Sequence, residues 1–388
     1  MKFFYYIFII FLLISPLISG SIYKIGIDDG PGEIIFPGEI KEGPDGNIYV
    51  SDYSDSFIKV YSPEGKYIRR IGGKGEGPGE MKRMGRFGFT GDKKNLFFTE
   101  YFTGHRWITF IDLSGKFKKV FKLNIKGFYG MRKAVILPDG KIFLSLDYSA
   151  DVNPVKGYFT YSRLSVLVEI GPGGDIIKKI ITRNKVASVS VISSGAMIEI
   201  PYQPVFKWVL LKNRIFFADG LSKRIKEFDL SGKLKRKINT HLPEPENITE
   251  KDLMEWRNDN KSYFKNRDKT WFANFGKIFD MYKRSIYKKK PNLSELKIIP
   301  GDRILIAESS QENSNIKRYS IIEPFEKAGN KKFKGFFIDL KGSGLEITGN
   351  FILIKYKDDE ENNIVCCLKR GDDLKRNLGE LQRHLNNL

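Results

Sequence analysis

The chain has 388 residues, 41% of them hydrophobic, with 30 Phe and 18 Tyr, ample apolar material for a sizeable packed core. Its formal charge is +20, from 66 Lys and Arg against 46 Asp and Glu, yet the basic residues are spread along the chain and the longest run is Lys288-Lys289-Lys290. No basic segment interleaved with stacking aromatics is present, so no nucleic-acid partner is expected and the positive surface reads as solubilising.

Met1-Lys2, the apolar run from Phe3 to Leu13, then Pro16 and small residues up to Gly20 predict a signal peptide over residues 1–20. The apolar run is shorter than the roughly 20 residues of a bilayer span. No cysteine follows it, which argues against a lipid anchor. An uncleaved N-terminal segment is the alternative, and the one membrane contact expected. Either way the folded part is exported, to the periplasm or the extracellular space.

Residues 21–370 carry a repeat. Gly30-Pro31-Gly32-Glu33 recurs as Gly77-Pro78-Gly79-Glu80, and Asp45, Asp92 and Asp139 share the same period of about 47 residues. In the first unit, strands are predicted at Asn47 to Val50, Phe57 to Tyr61 and Tyr67 to Ile71. A hairpin at Ser62-Pro63-Glu64-Gly65-Lys66 joins the last two, its glycine accepting positive φ, and the turn returns around Gly115, Gly174 and Gly232. A period of about 40 to 50 residues built from short alternating strands predicts four strands per unit, the propeller pattern. The centres Ile48-Val50, Leu96-Phe98, Ile142-Leu144, Ile215-Phe217, Ile304-Ile306 and Phe351-Ile354 count six units, with insertions where the later ones are spaced more widely. Ser21 to Ile25 is placed to add a strand to the last blade, which would remove a free sheet edge. Cys366-Cys367 falls within a late strand, and two adjacent cysteines give no disulfide framework.

Asp45-Gly46-Asn47-Ile48-Tyr49-Val50-Ser51-Asp52 and Gly75-Glu76-Gly77-Pro78-Gly79-Glu80 resemble the phrases of NHL-type six-bladed β-propellers, above all exported bacterial ones with Gly-Pro-Gly-Glu between blades. The resemblance runs from about residue 22 to 370, is strong in the first two units and departs at a long insertion. It implies an all-β, six-bladed β-propeller of four-stranded blades and leaves function open.

Between Ile238 and Leu296 the strand pattern stops. Thr249 reads as a helix N-cap with Asp252 three residues on, and Leu253, Trp256, Phe264, Trp271 and Phe275 follow at near-helical spacing. One or two amphipathic helices are therefore expected over about 243–290, between the fourth and fifth blades, either packed on their own blade or laid as a lid over the channel mouth. Leu374, Leu378, Leu381 and Leu385 predict a short C-terminal helix over 371–388.

An acid follows the apolar centre of most units: Asp52, Glu100, Asp219 and Glu308, with Asp147 displaced and Lys355 in the sixth. Two roles are open. A partial ring of carboxylates is one way to hold Ca2+ through oxygen ligands. Alternatively each carboxylate accepts backbone N–H groups in the following turn, the role the family resemblance favours. Gly-Pro-Gly-Glu lacks the helix and the Lys-Ser/Thr pair of a phosphate loop and reads as an inter-blade connector. Three histidines with no pair at ligand spacing exclude a multi-His zinc or copper site. The candidate ligand-binding residues are Asp52, Glu100, His105, Arg106, Asp219, Glu308, Trp256 and Trp271, on the channel or rim; no catalytic residue is assigned. The expectation is a monomeric, non-catalytic binding module for a protein, peptide or glycan in the cell envelope. A carboxylate- or calcium-dependent hydrolase or lyase at the channel mouth is the alternative, with Ca2+ the one cofactor left open.

Overall fold

The structure is a computed structural model that describes residues 22–27, 30–100, 106–155, 158–191, 197–199, 202–265, 288–309, 316–322, 324, 338–341, 344–357 and 363–369. The signal peptide, His105, Trp271 and the C-terminal helix of the sequence reading lie outside those residues. Two compact units divide the chain: residues 1–71 with 338–388, and residues 72–337.

The first unit opens with β1 (Ile22–Ile25), followed by β2 (Pro37–Glu42), β3 (Ile48–Asp52), β4 (Phe57–Tyr61) and β5 (Tyr67–Gly72). The last four form one antiparallel sheet in the order β2-β3-β4-β5. Every residue of β3 is buried, which explains why it reads as an uninterrupted run, while β5 alternates half-buried and exposed positions from Tyr67 to Arg70 and buries Ile71. The repeated aspartates are turn residues. Asp45, Asp92 and Asp139 each accept, through Oδ1, the backbone N–H two residues on, at 3.2, 3.1 and 3.2 Å. Gly65, Gly115, Gly174 and Gly232 all take positive φ in the hairpins, between 82° and 98°.

The second unit holds the next three sheets and part of another. Blade two is β6 (Met84–Phe89), β7 (Asn95–Glu100), β8 (Trp107–Asp112) and β9 (Phe117–Lys122). Blade three departs from the four-strand expectation. Its strands β10 (Phe128–Ile136), β11 (Ile142–Val155), β12 (Tyr158–Ile170), β13 (Ile176–Val191) and β14 (Met197–Glu199) make a five-stranded sheet. The wide spacing after the third unit is thus an insertion of strand: the β11–β12 ladder continues to Val155 and Tyr158. Blade four is β15 (Lys207–Leu211), β16 (Arg214–Ala218), β17 (Arg224–Asp229) and β18 (Leu234–Asn239). One helix follows, α1 (Glu250–Lys265), and then β19 (Leu293–Ile299), β20 (Arg303–Glu308) and β21 (Ile316–Ile322).

Blades pack face to face, and that is where the core lies. Phe97, Ile108 and Phe110 of blade two meet Leu144, Leu146 and Val166 of blade three in one cluster. Phe143 and Leu167 of blade three meet Trp208 and Phe217 of blade four in another, and Phe216 and Ile225 meet Ile304 and Ile306 of β20 in a third. Alternate residues of β11 and of β16 therefore serve opposite neighbours, so these strands are apolar on both sides.

Helix α1 begins as expected. The Asp252 amide donates to Thr249 Oγ1 at 3.2 Å, while the Thr249 amide and hydroxyl donate back to Asp252 Oδ2 at 2.7 and 2.8 Å, a reciprocal cap. Lys290 Nζ adds an ion pair to Asp252 at 2.5 Å. The insertion is closed at its base: Ile248 N donates to Lys288 O and Lys290 N to Glu246 O. Among the described residues the insertion contains one helix; residues 266–287 lie outside them.

The chain then returns to the first unit with β22 (Ile338–Lys341), β23 (Gly344–Ile347), β24 (Phe351–Lys357) and β25 (Asn363–Lys369). The expected closure is present. β1 pairs antiparallel with β25, Ile22 opposite Leu368 and Ile25 opposite Val365, in a sheet ordered β1-β25-β24-β23. Ile25, Phe351 and Leu353 pack with Ile48, Val50 and Tyr61 of the first blade.

The first strands of several blades share a feature that the sequence reading missed. Register shifts interrupt the pairing of β2 with β3 between Pro37 and Ile40, and of β6 with β7 between Met84 and Phe87. Each bulge carries a glycine, Gly38 or Gly85, and a hydroxyl on the neighbouring strand satisfies the freed backbone. Ser51 Oγ accepts Glu39 N at 2.8 Å and Thr99 Oγ1 accepts Arg86 N at 3.2 Å. A Cβ on Gly85 would overlap the Thr99 backbone carbonyl. Gly85→Ala should therefore cost about 1–3 kcal/mol in urea unfolding, because backbone must move to admit the methyl. Gly130→Ala is the control: its nearest neighbour would stand 3.9 Å away, so stability should be unchanged or slightly raised. Equal losses from both variants would remove the close-approach explanation.

Candidate functional site

The acids of the sequence reading occupy one place in the blade. Asp52 stands opposite Pro37, Glu100 opposite Met84, Asp147 opposite Gly130 and Glu308 opposite Leu293, each facing the start of a first strand. Asp219 follows β16 directly, and Lys355 takes the position in β24, donating from Nζ to Gly38 O at 2.7 Å.

Asp52 is fully buried, 0% exposed, and both of its oxygens are occupied. It accepts the amides of Ile35, Phe36 and Ser54 at 3.0 Å each and the Ser54 hydroxyl at 2.7 Å, and pairs with Lys59 Nζ at 2.8 Å. Burial alone would raise its pKa. The Lys59 ammonium and the Ser54 and Ile35 hydrogen bonds outweigh that and lower it from 3.8 to about 2. These are the contacts that the structural role of the carboxylate requires. Asp147 is likewise buried, between Arg132 Nε and Ser165 Oγ at 2.5 Å each. Asp219 accepts Leu221 N at 3.1 Å and faces Arg183 and Lys226 at 3.6 Å. Among the described residues, no three His, Cys, Asp or Glu side chains cluster as metal ligands would.

A cleft of about 580 Å³ lies on blade two, in the second unit, and it defines the candidate site. Its wall is the Gly75–Glu80 connector, folded by Glu80 N donating to Gly77 O and Gly77 N donating to Glu80 Oε2, at 3.0 and 2.9 Å. Gly79 brings this connector down over Ile111 and Phe117. Glu100, at the end of β7, is held by the Lys82 amide at 3.1 Å and lines the cleft with Trp107, Thr109, Phe117, Val120 and Lys122. At the rim Lys82 pairs with Glu76 at 2.6 Å, which lowers the Glu76 pKa and raises that of Lys82. Trp107 and Phe117 are half-buried and Val120 is exposed, so the cleft presents apolar surface flanked by charges of both signs.

Of the candidate residues that the structure describes, only Glu100 lines this cleft. Arg106 precedes β8, with its guanidinium 5.9 Å from the Phe128 ring centroid, and Trp256 is half-buried on α1. Glu308 ends β20, its backbone carbonyl accepting from Ser294 Oγ at 2.9 Å. Sequence reasoning missed Trp107, Phe117 and the connector as a site, because it took the connector only for a linker.

Four-stranded antiparallel blades, stacked face to face and closed in the last sheet by the N-terminal strand, define a β-propeller. The chain belongs to the DUF5128 family, described as 6-bladed β-propellers, whose sequence profile matches residues 34–298. No curated protein matches it. Among solved structures it is similar to a Bacteroides fragilis protein described as exported, at 12% identity and TM-score 0.51, over 90% of this chain and 95% of that one. Virginiamycin B lyase from Staphylococcus aureus matches at 12% identity and TM-score 0.44, over 90% and 99%. The PQQ-bound aldose sugar dehydrogenase of Streptomyces coelicolor matches at 14% and 0.41, over 91% and 99%. At these identities the likeness speaks for fold alone. Among the described residues, no helix is long and apolar enough to cross a membrane.

Proposed function

We propose that the chain is an exported, non-catalytic binding propeller that holds a protein, peptide or glycan segment in the cleft of its second blade. The observation that carries this reading is the cleft itself: half-buried Trp107 and Phe117 beside Glu76, Glu80, Glu100, Lys82 and Lys122. Its volume is in the range of ligand pockets, and a half-buried aromatic ringed by polar groups is the usual anchor of a recognition site. Export is supported by the signal-like residues 1–20 and is in keeping with the description of the Bacteroides fragilis protein. The calcium-dependent alternative gains nothing from Asp52, whose lone pairs already accept hydrogen bonds from Ile35, Phe36, Ser54 and Lys59.

Arrays of envelope-derived peptides and glycans, probed with the secreted chain, test this role. Trp107→Ala should weaken the strongest signal at least tenfold, the effect of removing an aromatic anchor, with little change in thermal unfolding. Retention of full signal by Trp107→Ala would place binding elsewhere on the molecule.

A further inference from the structure

The cleft has a filled counterpart in the first blade. Leu96 pairs with Ile111 as Ile48 pairs with Tyr61, so Phe98 and its partner Thr109 correspond to Val50 and its partner Lys59. The carboxylates correspond as well: the Lys82 amide donates to Glu100 Oε2 at 3.1 Å as the Ile35 amide donates to Asp52 Oδ2 at 3.0 Å. The connectors make the same turn, Glu33 N to Gly30 O and Glu80 N to Gly77 O, both at 3.0 Å. In the first blade a buried lysine occupies the enclosed space. Lys59 Nζ contacts Asp52 Oδ2 at 2.8 Å, Asp55 Oδ2 at 3.0 Å and the Glu33 carbonyl. In the second blade the short side chain of Thr109 stands in that place, and the space beside Glu100 and Glu80 is the cleft.

We propose that this cleft is an ammonium-binding site that takes a lysine side chain from an extended segment of a partner polypeptide, an inference that rests on the binding role proposed above. The template is the chain's own first blade. A ligand ammonium takes the position that Lys59 Nζ holds there, between the carboxylate that ends the second strand and the carbonyl of the connector glutamate. Trp107, Phe117 and Val120 give the four-carbon stem an apolar wall, as long cationic side chains prefer. Lysine suits the site better than arginine, because a compact charge with three donors matches separate oxygens and no flat bidentate carboxylate pair is required. The overall charge of +20 opposes a cationic ligand at long range. At physiological salt that field fades within about 8 Å, and the local balance then decides: three glutamates against Lys82, already paired with Glu76, and Lys122.

The probes are N-acetyl-lysine-methylamide and its Nε-acetylated form, titrated into the secreted chain by calorimetry. The lysine probe should bind at least tenfold more tightly than the acetylated one. Glu100→Gln should weaken it at least tenfold. Thr109→Lys supplies the ammonium in cis, so it should abolish probe binding and raise the thermal unfolding midpoint. If Thr109→Lys fails to fold, the Glu100→Gln comparison decides alone. Equal binding of the two probes, or unchanged affinity in Glu100→Gln, overturns the inference. An array ligand lost in Trp107→Ala but indifferent to lysine acetylation would overturn the ammonium site and leave the binding role standing. Probe binding by a chain that recognises no array ligand would do the reverse.

Discussion

Asp52→Ala should lower stability by about 3–5 kcal/mol, read as a fall in the urea unfolding midpoint, because it takes from the buried Lys59 ammonium its closer carboxylate and leaves only Asp55 at 3.0 Å and the Glu33 carbonyl. Lys59 is only 3% exposed, so water cannot replace the lost carboxylate without opening the blade. The same change frees the amides of Ile35 and Phe36, which belong to the turn leading into β2. Asp52→Ala/Lys59→Met should recover much of the loss, since removing both partners of a buried pair is less damaging than removing one. The pair also sets a pH dependence. Asp52 has its pKa lowered from 3.8 to about 2 on folding, so its contribution is complete above pH 4 and is lost as pH falls through about 2. The shift corresponds to roughly 2–3 kcal/mol, present in the wild type between those limits and absent from the double variant. An Asp52→Ala midpoint within 0.5 kcal/mol of wild type would contradict the buried network.

The parts of this molecule that were legible in the sequence are those where burial and turn geometry impose a residue type. β11 and β16 each pack on two neighbouring blades, and β3 is buried along its whole length, so these strands must be apolar on both faces and stand out as short runs. Asp45, Asp92 and Asp139 recur because the same turn needs the same acceptor. Blade three was harder to read: its second, third and fourth strands run for 14, 13 and 16 residues, longer than the repeat predicts, and Pro154 and Gly157 interrupt the alternation in the sequence. The roles of Asp52 and Glu100 were ambiguous for a different reason. The carboxylates look alike in sequence, and what separates them is the residue across β4 or β8. Aligning Phe57-Ile58-Lys59-Val60-Tyr61 with Trp107-Ile108-Thr109-Phe110-Ile111 exposes that difference, lysine against threonine, but its meaning depends on the strand register.

The second large effect concerns the N-terminal strand. A chain beginning at Gly26 should unfold at much lower urea and form concentration-dependent oligomers in sedimentation velocity. Two losses combine. Ile25 is 1% exposed in the core shared with Ile48 and Phe351, and Ile25→Ala alone should cost about 2–5 kcal/mol by leaving a cavity. Removing β1 also bares the edge of β25, whose sequence Asn363-Ile-Val-Cys-Cys-Leu-Lys369 is rich in strand formers with charge only at its end. An unpaired edge of that composition is a template for pairing with a second chain. The two variants separate the contributions: Ile25→Ala should be destabilised yet remain monomeric, whereas the truncated chain should be destabilised and self-associate. A synthetic peptide of residues 21–27 added in trans should suppress the association, since it restores the ladder from Ile22–Leu368 to Ile25–Val365. A truncated chain that stays monomeric with an unchanged midpoint would mean that β1 contributes nothing to closure, and the pairing seen in the last blade would be incidental to its stability.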